Sequence, residues 1–267
     1  MMHDALAKCT MSESTEFAVV NNHDATCRAA LLRDGYSLLP GLVPKRLVEA
    51  ANDAIQDDLA RNFDPGLQLQ YDCQSYCPNV RGSDAIRALL ENATVTSRID
   101  AAVEYANLIV GPPQIAIRRA RNSPALSPPE PHIDGVATAL NGIVSNELLT
   151  FTLLVGVFIS DVAQDYAGNF TVWPSSHLRI ERYFRERGHQ AMLDGVPQIP
   201  LGEPHQIRAT AGDVILCHYQ LAHAAAVNLT ARDRIAVYFR LSLADLAEHR
   251  WHRLTHIWDG WRIGPGA

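Results

Sequence analysis

His205-Gln206-Ile207-Arg208-Ala209, Val214-Ile215-Leu216-Cys217-His218, His223-Ala224-Ala225-Ala226-Val227 and Arg234-Ile235-Ala236-Val237-Tyr238-Phe239-Arg240-Leu241 follow one another closely near the C-terminal end of the chain. Each run is short and rich in β-branched, aromatic or small apolar residues. Turn-forming residues separate them: Ala211-Gly212-Asp213 before the second and Asn228-Leu229-Thr230 before the fourth. Strands of this length at this spacing predict an all-β sandwich or barrel. In the last run, alternation places Arg234, Ala236, Tyr238 and Arg240 on one face and Ile235, Val237 and Phe239 on the other. One face therefore carries two cations and the other only core residues.

Upstream, Leu149 to Ile159 and Asn169 to Trp173 read as strands of the same kind, and Leu108 to Arg119 is strand-like but broken by Gly111-Pro112-Pro113. Asn122 to Pro131 holds four prolines and must be a loop. Leu178 to Gly188 reads as one helical insertion. Before residue 107 the pattern changes. Ala25 to Arg33 reads as a helix stopped by Gly35. Pro44 opens a longer one in which Leu47, Ala51, Ile55 and Leu59 recur at i, i+4. Ser83 is positioned to cap Asp84 to Glu91, and Val95 to Ala106 completes a helical N-terminal part. The expected organisation is a flexible tail over 1–22 and a single domain over 23–267. That domain comprises a helical part to about 106, a β core over about 107–245, and a C-terminal helix or tail.

Composition excludes several classes of function. Lys plus Arg is 23 against 29 for Asp plus Glu, a net charge of −6, and no basic run could neutralise a series of phosphates, so nucleic acid is not an expected partner. The longest strongly apolar uncharged run, Leu148 to Ser160, is shorter than the roughly 20 residues a membrane helix needs. Without a recognisable secretory segment, a cytoplasmic location is expected. The five cysteines are odd in number, and Cys73 and Cys77 stand four apart, so reduced structural thiols are expected, with Cys217 in a core strand; a labile Cys73/Cys77 pair in a loop is the alternative. Oligomeric state is not readable.

His132-Ile133-Asp134 follows the proline-rich loop. Side chains two apart on an extended segment point the same way, so an imidazole and a carboxylate can reach one metal ion. Alone, such a pair could equally cap a loop and start a turn at Gly135. A second histidine at 223 in a later strand, and Arg234 eleven residues beyond it, change the weighting. Two histidines and one carboxylate on one face of an iron leave open positions, the ligand set of non-haem Fe(II) oxygenases. An arginine fork matches a carboxylate bidentately, and both Arg234 and Arg240 are candidates for that task. His218 is expected to end its strand and His177 to line a turn. Arg118, Arg119 and Arg121 form a cationic rim before the His-Asp pair, and the neutral segment Gly135 to Asn146 forms a lip after it.

Pro131-His132-Ile133-Asp134-Gly135, then Ala167 to His177, then Ala211-Gly212-Asp213-Val214 leading to His223, Asn228 and Arg234, resemble in order the motifs of the phytanoyl-CoA dioxygenase family of Fe(II)/2-oxoglutarate-dependent oxygenases. Asp34 to Val43 is similar to that family's opening strand and helix, and the resemblance runs from about residue 25 to 245. It implies a double-stranded β-helix (jelly-roll, cupin-like) core with flanking helices. It implies His132, Asp134 and His223 as catalytic iron ligands and Arg234 as the residue that binds the distal carboxylate of 2-oxoglutarate, with O2 as the other cosubstrate. The implied activity is oxidation, most simply hydroxylation, of a C–H bond in a small metabolite or natural-product intermediate. An acyl-CoA hydroxylase of the same family and a non-catalytic metal- or ligand-binding β-barrel are the alternatives. Halogenases related to this family replace the carboxylate by a small residue, so Asp134 implies hydroxylation, desaturation or ring formation. The chain departs from the family at Ala225, where a hydroxyl residue is frequent.

Overall fold

The computed structural model describes residues 24–120, 126–135, 149–195 and 197–264. The expected tail over 1–22, Arg121 and all of the neutral lip except Gly135 lie outside them. In chain order the elements are α1 (24–34), β1 (Tyr36–Leu39), α2 (Lys45–Asn62), α3 (Gln68–Cys73), α4 (Asp84–Glu91), α5 (Ala93–Ala102), β2 (Leu108–Val110), β3 (Gln114–Arg118), β4 (Leu153–Phe158), β5 (Phe170–Val172), α6 (Ser176–Arg187), β6 (His205–Gln206), β7 (Val214–His218), β8 (His223–Ala225), β9 (Arg234–Leu243) and α7 (Leu246–Arg253).

All ladders are antiparallel. The larger sheet runs β1-β7-β4-β9-β2, with β3 also pairing β9, and the smaller runs β6-β5-β8. Strand β9 is the organising element, because it pairs β2 and β3 along one edge and β4 along the other. The two faces of the large sheet feed two cores. Leu153, Val155 and Val157 of β4 and Ile235, Val237 and Phe239 of β9 pack with the helical residues Ile55, Leu89 and Ile99. Leu154 and Phe158, with Ala236 and Tyr238, face the small sheet through Phe170, Val172 and Ala224. Every residue of β4 is buried, because helices cover one side and the small sheet the other. A strand covered on both faces loses its polar alternation, which explains the apolar run read at Leu148 to Ser160.

The helical layer follows the apolar period of the sequence. Val48, Ala51 and Ile55 of α2 are buried, and α4 buries Ile86, Leu89 and Leu90. Burying side chains such as Ile55 and Leu89 is worth about 1.5–3 kcal/mol each before entropy is counted. Capping departs from expectation in one place. Ser83 stands at the α4 N-terminus, but its side chain caps nothing and its Oγ has no hydrogen-bond partner among the described residues. Asn92 is the side chain that caps α5, accepting from Val95 N. Beyond α7 the chain packs back: Leu254, Ile257 and Ile263 are buried, and Arg253 pairs with Asp245 and Asp259. Cys217 is buried in β7, Cys73 ends helix α3, and Cys27, Cys73, Cys77 and Cys217 are free thiols. No helix among the described residues is long and apolar enough to cross a membrane.

Candidate metal centre

His132 and His223 are locked to each other by the backbone before their side chains meet. Each donates its amide to the other's carbonyl, at 3.0 and 2.9 Å, so a single antiparallel bridge ties the loop carrying His132 to β8. The two rings lie 4.5 Å apart between centroids. Asp134 enters from two residues past His132. Its Oδ1 is 3.6 Å from Nε2 of His132 and 3.6 Å from Nε2 of His223. The three donor atoms lie within 4.8 Å of one another, the one such group of three among the described residues. Sequence reasoning placed His132 and Asp134 on an extended segment. The structure instead gives His132 one bridge and Asp134 a turn, and the same side of the chain is presented by that bridge.

Protonation and orientation fit a divalent cation. Nδ1 of His223 is 3.0 Å from the Leu221 carbonyl, which can only accept, so Nδ1 carries the proton and Nε2 is left as a lone-pair donor. Phe170 stacks against that ring at 5.3 Å and holds its plane. Desolvation, then the neighbouring His223, pushes the His132 imidazole down to about 4, so it is neutral at neutral pH although half of the side chain faces open space. Burial alone would raise the Asp134 carboxyl. Arg240, followed by His223 and His132, more than offsets this and holds it well below the usual carboxylate range. Two imidazole nitrogens and one carboxylate oxygen are the donor set that non-haem Fe(II) sites use.

The centre forms one wall of a cavity of about 350 Å³, and Arg234 and Arg240 both line it. Their settings differ. Arg240 donates from Nε to Asp134 Oδ2 at 2.9 Å and places Nη2 2.7 Å from the same oxygen, while Nη1 donates to Gln114 Oε1. Arg234 is 2% exposed, donates from Nε to the Gly168 carbonyl and from Nη1 to the Ala116 carbonyl, and has no carboxylate partner among the described residues. Arg118 stands directly opposite it in the β3–β9 register, so two guanidinium groups share this wall, with Asp72 at 3.9 Å from Arg118. Burial draws the Arg234 guanidinium down from its ordinary value, with Arg118 acting in the same direction and Tyr238 opposing. A buried cation with no counter-ion is costly unless a ligand supplies the anion.

Other residues fall where chemistry is not. His218 ends β7, donates from Nε2 to the Ile257 carbonyl and is not part of the triad cluster; His177 lies buried in the first turn of α6. Reading the sequence alone missed the pairing of Arg240 with Asp134, Gln114 behind it, and Tyr238 on the cavity wall between the two arginines. The alternation of β9 was the available signal, since it put Tyr238 and Arg240 on the face that carries Arg234.

No protein-family model matches the chain, and no curated protein matches it in sequence. Solved structures do. The non-heme alpha ketoglutarate dependent epimerase SnoN from nogalamycin biosynthesis is 19% identical, with a TM-score of 0.54 over 83% of this chain and 83% of that one. HygX from Streptomyces hygroscopicus, with nickel and 2-oxoglutarate bound, is 18% identical, with a TM-score of 0.51 over 79% of this chain and 83% of its own. The non-heme monooxygenase ThoJ is 16% identical, with a TM-score of 0.56 over 82% of this chain and 79% of its own. Similarity at this level establishes the fold: a double-stranded β-helix core with helices packed on its larger sheet.

Proposed function

We propose that the protein is a non-haem Fe(II)- and 2-oxoglutarate-dependent dioxygenase of the phytanoyl-CoA dioxygenase type, acting on a C–H bond of a small metabolite or natural-product intermediate. The observation that carries this reading is the pairing, in one cavity, of the His132–Asp134–His223 cluster with a buried Arg234 that lacks a counter-ion. His132, Asp134 and His223 would hold the iron, and Arg234 would bind the distal carboxylate of 2-oxoglutarate. An iron bound there supplies the coupling of 2-oxoglutarate decarboxylation by O2, giving succinate and CO2, to insertion of the second oxygen atom into the substrate C–H bond. A barrel that only bound a metal would have no use for an unpaired guanidinium beside it.

The chain's own residues orient the reactants. The Leu221 carbonyl fixes the His223 tautomer, Phe170 fixes its ring plane, and Arg240 holds Asp134 Oδ2 so that Oδ1 faces both imidazoles. Leu154, Ile117 and Phe170 give the cavity an apolar side that limits water near the reacting carbon. Hydroxylation is the outcome proposed; SnoN and the carbocyclase SnoK show that neighbours of this fold also carry out epimerisation and ring closure.

The test is anaerobic titration with Fe(II), followed by measurement of succinate formed from 2-oxoglutarate and O2. One Fe(II) per chain is expected, with succinate formed slowly even before a substrate is found. His132→Ala, Asp134→Ala and His223→Ala should each lose iron and succinate formation while keeping the circular dichroism of the parent. Unchanged iron stoichiometry in all three variants would overturn the assignment.

A further inference from the structure

His252 and His256 stand one helical turn apart at the C-terminal end of α7. His252 is the penultimate residue of that helix, and the His256 amide donates to the His252 carbonyl at 3.1 Å, so α-helical spacing carries on past Arg253. Residues four apart at this spacing lie on one face. Both histidines are exposed, yet their rings lie together, 3.9 Å apart between centroids and 12° from parallel.

The surroundings of His256 decide which of its nitrogens can bind a metal. Its Nδ1 is 3.2 Å from the His252 carbonyl, which can only accept, and 3.0 Å from Thr255 Oγ1, whose own proton goes to that same carbonyl. In the neutral ring Nδ1 therefore carries the hydrogen, and Nε2 keeps its lone pair. Every neutral imidazole has one such nitrogen, so the stacked His252 ring offers a second donor beside it. The cations nearby are already engaged: Arg253 by Asp245 and Asp259, and Arg185 by Glu181 and the Thr255 carbonyl. The helix end itself favours positive charge, because the last carbonyls of α7 form the negative pole of its dipole. Two histidines at i and i+4 on one helix face are the spacing by which a helix holds zinc. Metal–nitrogen bonds of about 2.0–2.1 Å put two donors on one tetrahedral ion about 3.4 Å apart, which rings 3.9 Å apart reach by a small rotation about χ2.

We propose that His252 and His256 form a second metal site, additional to the His132–Asp134–His223 centre, for a divalent ion of the Zn(II), Ni(II) and Cu(II) class, with water completing its coordination. For a given nitrogen donor set, affinity rises from Fe(II) to Ni(II) and Cu(II), so the site takes these in preference to iron. An ion held there ties the end of α7 to the turn leading to Ile257, whose carbonyl holds His218.

The experiment dialyses wild type, His252→Gln, His256→Gln and His249→Gln against Ni(II) and measures bound nickel per chain as the free concentration is raised. His249 is the control, an exposed histidine of the same helix that pairs with Asp245. At the free Ni(II) that just saturates wild type, His252→Gln and His256→Gln should each bind one ion fewer. A lone imidazole forfeits a gain of about 100-fold from the second donor held beside it. His249→Gln should match wild type. All three substitutions fall on exposed residues, where stability changes little. Because the result is a difference between variants, it does not depend on whether the His132–Asp134–His223 centre binds metal. Equal stoichiometry in all four proteins, a loss confined to one of the two paired histidines, or an equal loss in His249→Gln would overturn the site.

Discussion

Arg240 grips one oxygen of Asp134 with two nitrogens, at 2.9 and 2.7 Å, and leaves the other oxygen 3.6 Å from both imidazole Nε2 atoms. The pair settles how a carboxylate on a turn can hold a fixed direction. A free Asp side chain would sample several rotamers, and each would aim its lone pairs differently. Here the charge-assisted contacts select one. Gln114 restrains the arginine from behind through Nη1, so the restraint runs β3 to β9 to the loop.

Removing this restraint should weaken the metal site without removing a ligand. Residues that orient metal ligands typically affect affinity or activity by 10–100-fold. Arg240→Ala is therefore expected to bind Fe(II) or Ni(II) at least about tenfold more weakly. Arg240→Lys should recover part of that, since an ammonium keeps the charge but not the fork. Calorimetric metal titration of the three proteins is the measurement. Tighter binding in Arg240→Ala would mean that repulsion between the guanidinium and the cation outweighs orientation of Asp134.

Arg234 is expected to act on the cosubstrate and not on the metal. Arg234→Lys should raise the 2-oxoglutarate concentration needed for half-maximal succinate formation at least about tenfold, the loss of one charge-assisted hydrogen bond. Metal affinity should stay within twofold. Lysine is the better probe than alanine, because truncation would leave the Gly168 and Ala116 carbonyls without their buried donor. A larger cosubstrate defect in Arg240→Lys than in Arg234→Lys would exchange the two assignments.

Gly168 gives a third test from the backbone. Its φ is +77°, and a Cβ there would come within 2.7 Å of Arg118 Cβ and 3.1 Å of Arg234 Cβ. Gly168→Ala combines a left-handed backbone with two close contacts, and it should destabilise the protein by about 2–3 kcal/mol. It should also weaken 2-oxoglutarate binding, since the Gly168 carbonyl is what Arg234 Nε holds. Urea unfolding and calorimetric titration with 2-oxoglutarate separate the two effects. A variant as stable as wild type would show that the turn relaxes more readily than its neighbours suggest.

How much of this was legible beforehand depends on whether the information was local. Strand alternation in β9 correctly sorted Arg234, Ala236, Tyr238 and Arg240 from Ile235, Val237 and Phe239, because period two is dictated by the backbone whatever surrounds it. Gathering His132, Asp134 and His223 into one cluster was legible from residue type and order. The partner of Arg240 was not. Six residues separate it from Arg234 along an extended strand, so spacing alone put it far from the cosubstrate anchor, and Asp134 arrives from a loop whose path is a tertiary matter. Ser83 shows the converse: the right residue in the capping position, with a side chain that caps nothing.

The last prediction concerns stability against pH and uses histidines outside the site. Burial, then the neighbouring His177, pushes His218 down to about 3, partly opposed by its bond to the Ile257 carbonyl. Burial pushes His177 down to about 4, partly opposed by the Leu32 backbone and by Asp34. In the unfolded chain an imidazole titrates near 6.5. Between these values the unfolded state binds more protons than the folded one, so stability falls as pH drops below about 6.5 and is independent of these groups above about 7. At pH 5 each buried histidine should cost about 2 kcal/mol relative to pH 7. His218→Gln removes one such group and should flatten the dependence by about that amount. Urea unfolding of metal-free protein at pH 7, 6 and 5 measures it, and taking the difference between variant and wild type cancels the titration of His132 and Asp134. Parallel pH dependences would show that His218 titrates normally in the folded protein, which its complete enclosure by Trp258, Trp261 and the Ile257 carbonyl argues against.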